Sequence, residues 1–571
     1  MLRIFAACSV LLITPVFAQE AQQPEETYEI HSRPSVEAST YMVAAANSVA
    51  AEVGRQVLAD GGSAADAAVA VQLMLNLVEP QSSGIGGGAF ALYWDASEGA
   101  LTTFDAREKA PLAATPDYWL GEDGEPIGFF EAVVGGRSAG VPGTLKLLEV
   151  LHQKHGRTPW PDLLAPTIAR ADAGFVISPR MASSIAGSAE SGLTKFEAAR
   201  DYFFTADGQP RAAGTLLKNP DFARTLRLIA AHGSAPFYHG SIAGDIVAAV
   251  KTDSNPGILT LEDLAAYEVI QRAPVCATYR GADVCGMGPP SSGGLTVGQI
   301  LGMLEYHDLP TMGRGAEAWK TYIEASKLAF ADREMYMADS DFVDMPEGLL
   351  DLHYIADRSD LIDIENPVEK AEAGDPPWDD AHLWSPDTDP DRPGTSHFVI
   401  VDKYGDMISM TTTIETGFGS RVMTGGFLLN NELTDFSRAP ESDGKPIANR
   451  VEGGKRPRSS MAPTIVLQDG EPVLLIGSPG GSRIIGYVVQ AIIGVMDWDM
   501  DLQEALDMGH VINRNGITDL EEDTEAAALA EELGGEINVR NLNSGLQAIL
   551  IKDGKLIGAA DRRREGVALG D

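Results

Sequence analysis

Residues 389–415 read DPDRPGTSHFVIVDKYGDMISMTTTIE, and the rest of the chain has to be arranged around what this stretch becomes. A polar, proline-containing run ends at Gly394, Thr395 follows, and residues 397–401 form an apolar strand. A turn over 403–406 and a second strand over 407–413 complete a hairpin. Thr395 therefore stands where a loop becomes a buried strand, and the residue before it has no side chain. A hydroxyl is a poor nucleophile until a base takes its proton. An N-terminal threonine carries that base in its own α-amine, which titrates at about 8 and is partly neutral near neutral pH. Exposing the amine requires a cut between Gly394 and Thr395. The Thr395 hydroxyl can itself attack the Gly394 carbonyl, giving an ester that water opens. Taken alone, Thr395 reads better as an ordinary first residue of a strand.

The chain changes character at this point. Residues 161–358 read as mainly helical with a cysteine hairpin inserted, and 359–394 as an acidic, proline-rich surface linker. After Thr395 come strands at 397–401, 407–413, 427–429, 464–467 and 473–476. A helix starts near Arg483, and a closing hairpin pairs 547–552 with 555–559. Asp469 and Gly470 mark a further hairpin turn. Upstream, 44–78 has helical composition broken at Gly61 and Gly62, followed by strands at 90–94 and at 102–107. Length alone suggests about three or four domains. Runs of strands flanked by helices instead predict a layered α/β sandwich built jointly by the parts before and after Thr395.

Net charge is −39, from 43 basic and 82 acidic residues. Such a surface repels nucleic acid and anionic membranes, and an anionic ligand has to be held by a few local donors. Residues 1–18 read as a secretory signal peptide cleaved after Ala18, with an apolar run too short for a membrane span. Residues 19–38 are a polar, acidic, disordered leader. The expected mature chain is periplasmic or secreted, with no membrane span. It keeps Cys276 and Cys285, in PVCATYRGADVCGM. With Arg280 and Gly281 as a two-residue turn, these cysteines face each other at a non-hydrogen-bonded pair, which favours a disulfide in an oxidising compartment. Two free thiols are the alternative.

Three motifs lead elsewhere when their context is read. Gly84, Gly86, Gly87 and Gly88 in PQSSGIGGGAF lack the ending and the βαβ setting of a phosphate cradle, so a tight backbone approach beside a site is expected. The Gly136-Arg137-Ser138-Ala139-Gly140 run matches a nucleophile elbow, but Pro142 and Gly143 delay the helix that an elbow needs at once. His152 and His155 lack the glutamate of a zinc-protease motif, and no metal or cofactor is predicted.

What supports the reactive reading of Thr395 is its company. Thr413 ends the partner strand. Residues 478–483, SPGGSR, link an apolar strand to a helix, so Gly480 and Gly481 can aim backbone N–H groups at an oxyanion. Glu415, Glu432 and Asp435 suit an ammonium; Arg107, Ser459 and Ser460 suit a carboxylate. The segments TSHFVIVD, FLLNNELTDFS, KRPRSSMAPTIV, IGSPGGSRII, FDAREKAP, PQSSGIGGGAF and GAADRRREG together closely resemble γ-glutamyltranspeptidases, in order over nearly the whole mature chain.

The resemblance implies the N-terminal-nucleophile αββα fold, formed jointly by a large subunit (39–394, behind the leader) and a small subunit (395–571) after self-cleavage between Gly394 and Thr395. It implies Thr395 as nucleophile, Thr413 as its orienting partner, and Gly480 and Gly481 as the oxyanion hole. Arg107, Ser459 and Ser460 would hold a glutamyl α-carboxylate, and Glu415, Glu432 and Asp435 its α-ammonium. The implied partners are glutathione and other γ-glutamyl compounds, with water, amino acids or peptides as acceptors. Two departures stand out. Many bacterial members carry Asn where this chain has Glu415. The segment between Ser437 and Lys455 is shorter than the family's lid and lacks its tyrosine, which implies a more open site. Two rival readings are an acylase of the same family acting on glutaryl or cephalosporin side chains, and an unprocessed periplasmic binding protein for γ-glutamyl peptides.

Overall fold

The computed structural model describes residues 27–378, 384–387 and 394–571. Two seven-stranded antiparallel sheets dominate it. Across the first sheet the strands run Val567–Gly570, Met42–Ala45, Thr395–Val401, Met407–Thr413, Gly88–Asp95, Ala100–Ala106 and Ile270–Arg272. The second runs Val36–Ala38, Lys555–Ala560, Gln547–Lys552, Glu471–Gly477, Thr464–Gln468, Ala282–Gly286 and Val275–Tyr279. Successive side chains point to opposite faces of a strand. Phe398 and Ile400 accordingly enter a core shared with helices Ser48–Ala59, Ala64–Val78 and Thr144–His155. Val399 and Val401 enter the core between the sheets, which continues under helices Gly293–Leu304, Ala316–Tyr336 and Arg483–Met496. The order is helix, sheet, sheet, helix.

The central hairpin is buried along both strands. Its turn is built by Asp402, whose Oδ1 accepts from the N–H groups of Tyr404 (2.8 Å) and Asp406 (3.0 Å). The other carboxylate oxygen accepts from Ala64 N–H at 2.7 Å, pinning the turn to the start of helix Ala64–Val78. That helix begins after the Gly61, Gly62 break with a capping box between Ser63 and Asp66.

The turn-directed expectations are met closely. Gln547–Lys552 pairs with Lys555–Ala560, and Gln468 faces Glu471 across Asp469 and Gly470. Cys276 faces Cys285 and the two sulfurs are bonded. Three expectations need correction. Residues 44 and 45, read as helix from their alanines, lie in strand Met42–Ala45, because pairing to Thr395–Val401 on one side and Val567–Gly570 on the other outweighs local propensity. Residues 36–38, placed in the disordered leader, form an edge strand against Lys555–Ala560. The 359–394 linker is not exposed throughout. Asp387 is 2% exposed, and Arg458 Nη2 lies 3.1 Å from its Oδ2. The expected signal peptide, residues 1–18, lies outside the described residues. Among those described, no helix is long and apolar enough to cross a membrane.

Candidate active site

Thr395 is the first residue of its strand and pairs in register with Thr413, the last residue of the next. The two hydroxyl oxygens are 3.4 Å apart. Thr413 Oγ1 accepts the Glu415 N–H at 2.8 Å and donates its own proton to the carbonyl oxygen of Gly394 at 2.7 Å. A hydroxyl has one proton to give, so the contact with Thr395 is one in which Thr395 donates. Thr413 thus touches both the Thr395 hydroxyl and the carbonyl that precedes it. Gly394 is required by its surroundings: a Cβ there would lie 1.9 Å from the Glu415 carbonyl oxygen.

The glycine run packs behind this pair. A Cβ on Gly87 would meet the Thr413 carbonyl oxygen at 1.9 Å, and one on Gly86 the Leu428 carbonyl oxygen at 2.0 Å. This is the tight backbone approach expected of PQSSGIGGGAF. On the far face, Ser396 donates to Glu79 at 2.5 Å, and Glu79 is ion-paired with Arg180. Arg564, near the C-terminus, donates to the Thr395 carbonyl at 3.2 Å. Ser138 of the apparent elbow turns its hydroxyl onto the Val133 carbonyl (2.6 Å) and is no nucleophile. His155 stacks on Tyr93, and His152 Nε2 meets the Thr158 carbonyl.

Every residue assigned to catalysis or substrate binding, except Gly480, lines one pocket with an empty volume of about 280 Å³. Gly480 (φ 138°) and Gly481 (φ 60°) precede helix Arg483–Met496, and Gly481 faces the pocket. Gly480 is next to it in the chain, and a Cβ there would strike the Tyr487 ring at 2.7 Å. The cation and the anions meant for opposite ends of a zwitterion are in contact. Arg107 donates to Asp435 Oδ2 at 2.6 Å and is ion-paired with Glu432, while Glu108 lies 3.9 Å away. Two further donors go to the carbonyls of Pro457 and Arg458, at 3.2 and 2.8 Å. A ligand carboxylate and ammonium would enter by exchanging with these partners.

Burial pushes the Glu108 carboxyl up to about 7, with Arg107 opposing. Burial also raises Glu432, again against Arg107, although the direct ion pair favours its charged form. The guanidinium contacts Glu432 directly and Glu108 only at 3.9 Å, and burial raises both carboxyls against it. His397 is neutral: burial lowers it to about 3, and Nδ1 meets Thr411 Oγ1 at 2.8 Å.

Several supporting residues were not anticipated from sequence. Arg333 donates to Ser460 Oγ (2.7 Å) and to Ser292 Oγ (2.9 Å). Ser292 in turn gives both its N–H and its hydroxyl to the Ser459 carbonyl, each at 2.8 Å. The only sequence signal was the PPSSGG turn containing Ser292. Asn431 donates to Glu415 Oε2 at 2.6 Å; it sits in the NNEL run beside Glu432. The segment between Ser437 and Lys455 forms a small hairpin, Glu441–Ser442 with Lys445–Pro446, tied to the linker through a bridge between Ser385 and Ile447.

A threonine heading a strand buried on both faces, at the rim of two sheets sandwiched by helices, defines the N-terminal-nucleophile hydrolase fold. Within that class the chain belongs to the γ-glutamyltranspeptidase family: residues 50–571 match the family model described as Gamma-glutamyltranspeptidase. The chain is 37% identical to the glutathione hydrolase proenzyme of Bacillus subtilis (strain 168), over 99% of this chain and 97% of that protein. It is 34% identical to the glutathione hydrolase proenzyme of Escherichia coli (strain K12), over 92% and 91%. Its fold matches the crystal structure of cephalosporin acylase from Bacillus halodurans with a TM-score of 0.83 at 26% identity, covering 95% of this chain and 97% of that one.

Proposed function

We propose that this enzyme cuts its own chain between Gly394 and Thr395 and then uses Thr395 to take the γ-glutamyl group from glutathione and related γ-glutamyl amides. The contact of Thr413 with both the Thr395 hydroxyl and the Gly394 carbonyl carries this reading. In the uncut chain, the Thr395 oxygen adds to the Gly394 carbonyl carbon. The C–N bond breaks, the nitrogen takes a proton and becomes the Thr395 α-amine, and water opens the resulting ester. The freed amine then serves as base for the same hydroxyl. Attack on a γ-carbonyl releases the amine product and leaves a γ-glutamyl ester on Thr395, with the oxyanion held at Gly480 and Gly481. Water or an amino acid takes the acyl group. Arg107, Ser459 and Ser460 receive the α-carboxylate; Glu415, Glu432 and Asp435 receive the α-ammonium.

The likeness to a cephalosporin acylase favours a second reading, in which the acyl group lacks the ammonium. Three acidic groups at the pocket argue for the γ-glutamyl reading. We also propose that the chain is exported by residues 1–18 and that the two pieces stay together after the cut. A denaturing gel with parallel assays on γ-glutamyl and glutaryl anilides tests the reading. Two fragments and faster γ-glutamyl cleavage are expected. A single full-length band in active protein overturns the self-cleavage, and faster glutaryl cleavage overturns the substrate.

A further inference from the structure

Leaving the Met407–Thr413 strand, the backbone enters the left-handed region at three residues that are not glycine: Glu415 (φ 74°), Phe418 (67°) and Arg421 (67°). Such residues keep this conformation only where their surroundings over-determine it, and they gather at functional sites. Phe418 is held by the core, edge-on to Phe203. Arg421 is 3% exposed, and its guanidinium meets neutral oxygens. Nη1 donates to Thr416 Oγ1 at 2.9 Å and also contacts the Gly419 carbonyl; Nε donates to the Ser191 carbonyl at 3.3 Å.

A guanidinium can only donate, and this sets a direction. Thr416 Oγ1 receives a proton from Arg421, so its own hydroxyl proton goes to Asn431 Oδ1 at 2.9 Å. The Thr416 N–H reaches the same oxygen at 3.0 Å. With Oδ1 occupied by two donors, the Asn431 amide has one satisfactory orientation. Its NH2 then faces Glu415 Oε2 at 2.6 Å and Thr434 Oγ1 at 3.0 Å. Turning the amide over would set an oxygen against the carboxylate and an NH2 against the Thr416 N–H. Polarity therefore runs one way, from a buried cation to a carboxylate that lines the pocket.

We propose that Arg421 is a specificity-determining positioning residue: through Thr416 and Asn431 it fixes the Glu415 carboxylate as an acceptor in the pocket, and so selects acyl donors that carry an α-ammonium. The inference rests on the reading in which Glu415 meets that ammonium. Arg421 touches no substrate atom and acts through two intervening side chains.

The test is a kinetic double-mutant cycle on the self-processed protein with γ-glutamyl-p-nitroanilide. Arg421→Met raises KM about tenfold, the effect of losing one hydrogen bond to a charged group, with kcat changed by less than about threefold. The double variant Arg421→Met/Glu415→Gln is no worse than Glu415→Gln alone, because both changes remove the same interaction. Arg421→Lys recovers part of the KM. Losses that multiply in the double variant, or a fall in kcat at unchanged KM, overturn the inference. If Arg421→Met does not fold, Thr416→Val breaks the middle link and has to give the same KM rise and the same non-additivity; an unchanged KM overturns the inference. Wild-type protein inactive on the γ-glutamyl anilide fails the underlying substrate reading and this inference with it. An active wild type with an additive cycle fails this inference alone.

Discussion

The hydroxyl of Thr413 donates to the carbonyl oxygen of Gly394 across 2.7 Å while receiving the hydroxyl of Thr395 at 3.4 Å. One side chain thus touches both the carbonyl of the bond proposed to be cut and the hydroxyl proposed to cut it. Removing an oxyanion-type donor slows acyl transfer by about a hundredfold or more, so Thr413→Ala should delay conversion of precursor to two fragments by that order. Thr413→Ser should retain most of the rate, and Thr395→Ala should give no fragments. A time course on a denaturing gel checks all three; Thr413→Ala maturing at the wild-type rate would sink the assignment.

Gly394→Ala tests the fit around the proposed cleavage site. Its Cβ would sit 1.9 Å from the Glu415 carbonyl oxygen and 2.8 Å from the Thr416 carbonyl carbon, both backbone atoms that cannot swing aside. The expected outcome is impaired self-cleavage together with a loss of about 1–3 kcal/mol of stability from overpacking. Thermal unfolding of the uncut protein and the same gel measure the two effects. Normal cleavage would show that the loop relaxes freely.

Arg107→Ala should be among the most destabilising single changes at the pocket. It leaves Glu432 and Asp435 without their shared cation beside a third buried carboxyl, Glu108. Breaking a buried ion pair from one side costs about 3–5 kcal/mol. Urea unfolding should show that loss, and Arg107→Ala/Glu432→Gln should recover part of it while remaining inactive. A double variant less stable than Arg107→Ala would contradict the account.

Glu108 makes stability depend on pH in a stated direction. Its folded carboxyl sits at about 7 against an ordinary 4.5, so the folded state binds the proton more tightly than the unfolded chain. Its contribution is greatest below the unfolded value and is lost as pH rises from there through about 7. The difference between wild type and Glu108→Gln should grow by about 3 kcal/mol across that window, since each pKa unit is worth about 1.4 kcal/mol. Chemical unfolding of both proteins at pH 4.5, 6 and 8 checks it. A difference independent of pH would mean that Glu108 is ionised throughout.

Features governed by local chemistry were legible in the sequence. A two-residue turn sets the register of a hairpin, so Arg280 with Gly281, and Asp469 with Gly470, specified which residues face each other. Features governed by partners distant along the chain were not. Met42–Ala45 is a strand only because Thr395–Val401 and Val567–Gly570 flank it. The pocket residues were found one type at a time, as acids, donors and glycines. That Arg107 spends its donors on Glu432 and Asp435 depends on a fold bringing segments more than 300 residues apart together. Arg333, Asn431 and Arg421 act on pocket residues through side chains, and spacing carries no trace of that.

In the first sheet, Thr395–Val401 and Met407–Thr413 lie between Met42–Ala45 and Gly88–Asp95, so strands from beyond the Gly394–Thr395 bond are laced between strands from before it. Such a lattice assembles readily while one chain brings both halves to each other at high local concentration. Once the bond is gone, that tether is gone as well, and neither piece alone can complete the sheet. The proposed maturation is then a one-way ratchet: the protein should refold efficiently before the cut and poorly after it. On the proposed cleavage, the polypeptide link serves as a mould for assembly and is then discarded.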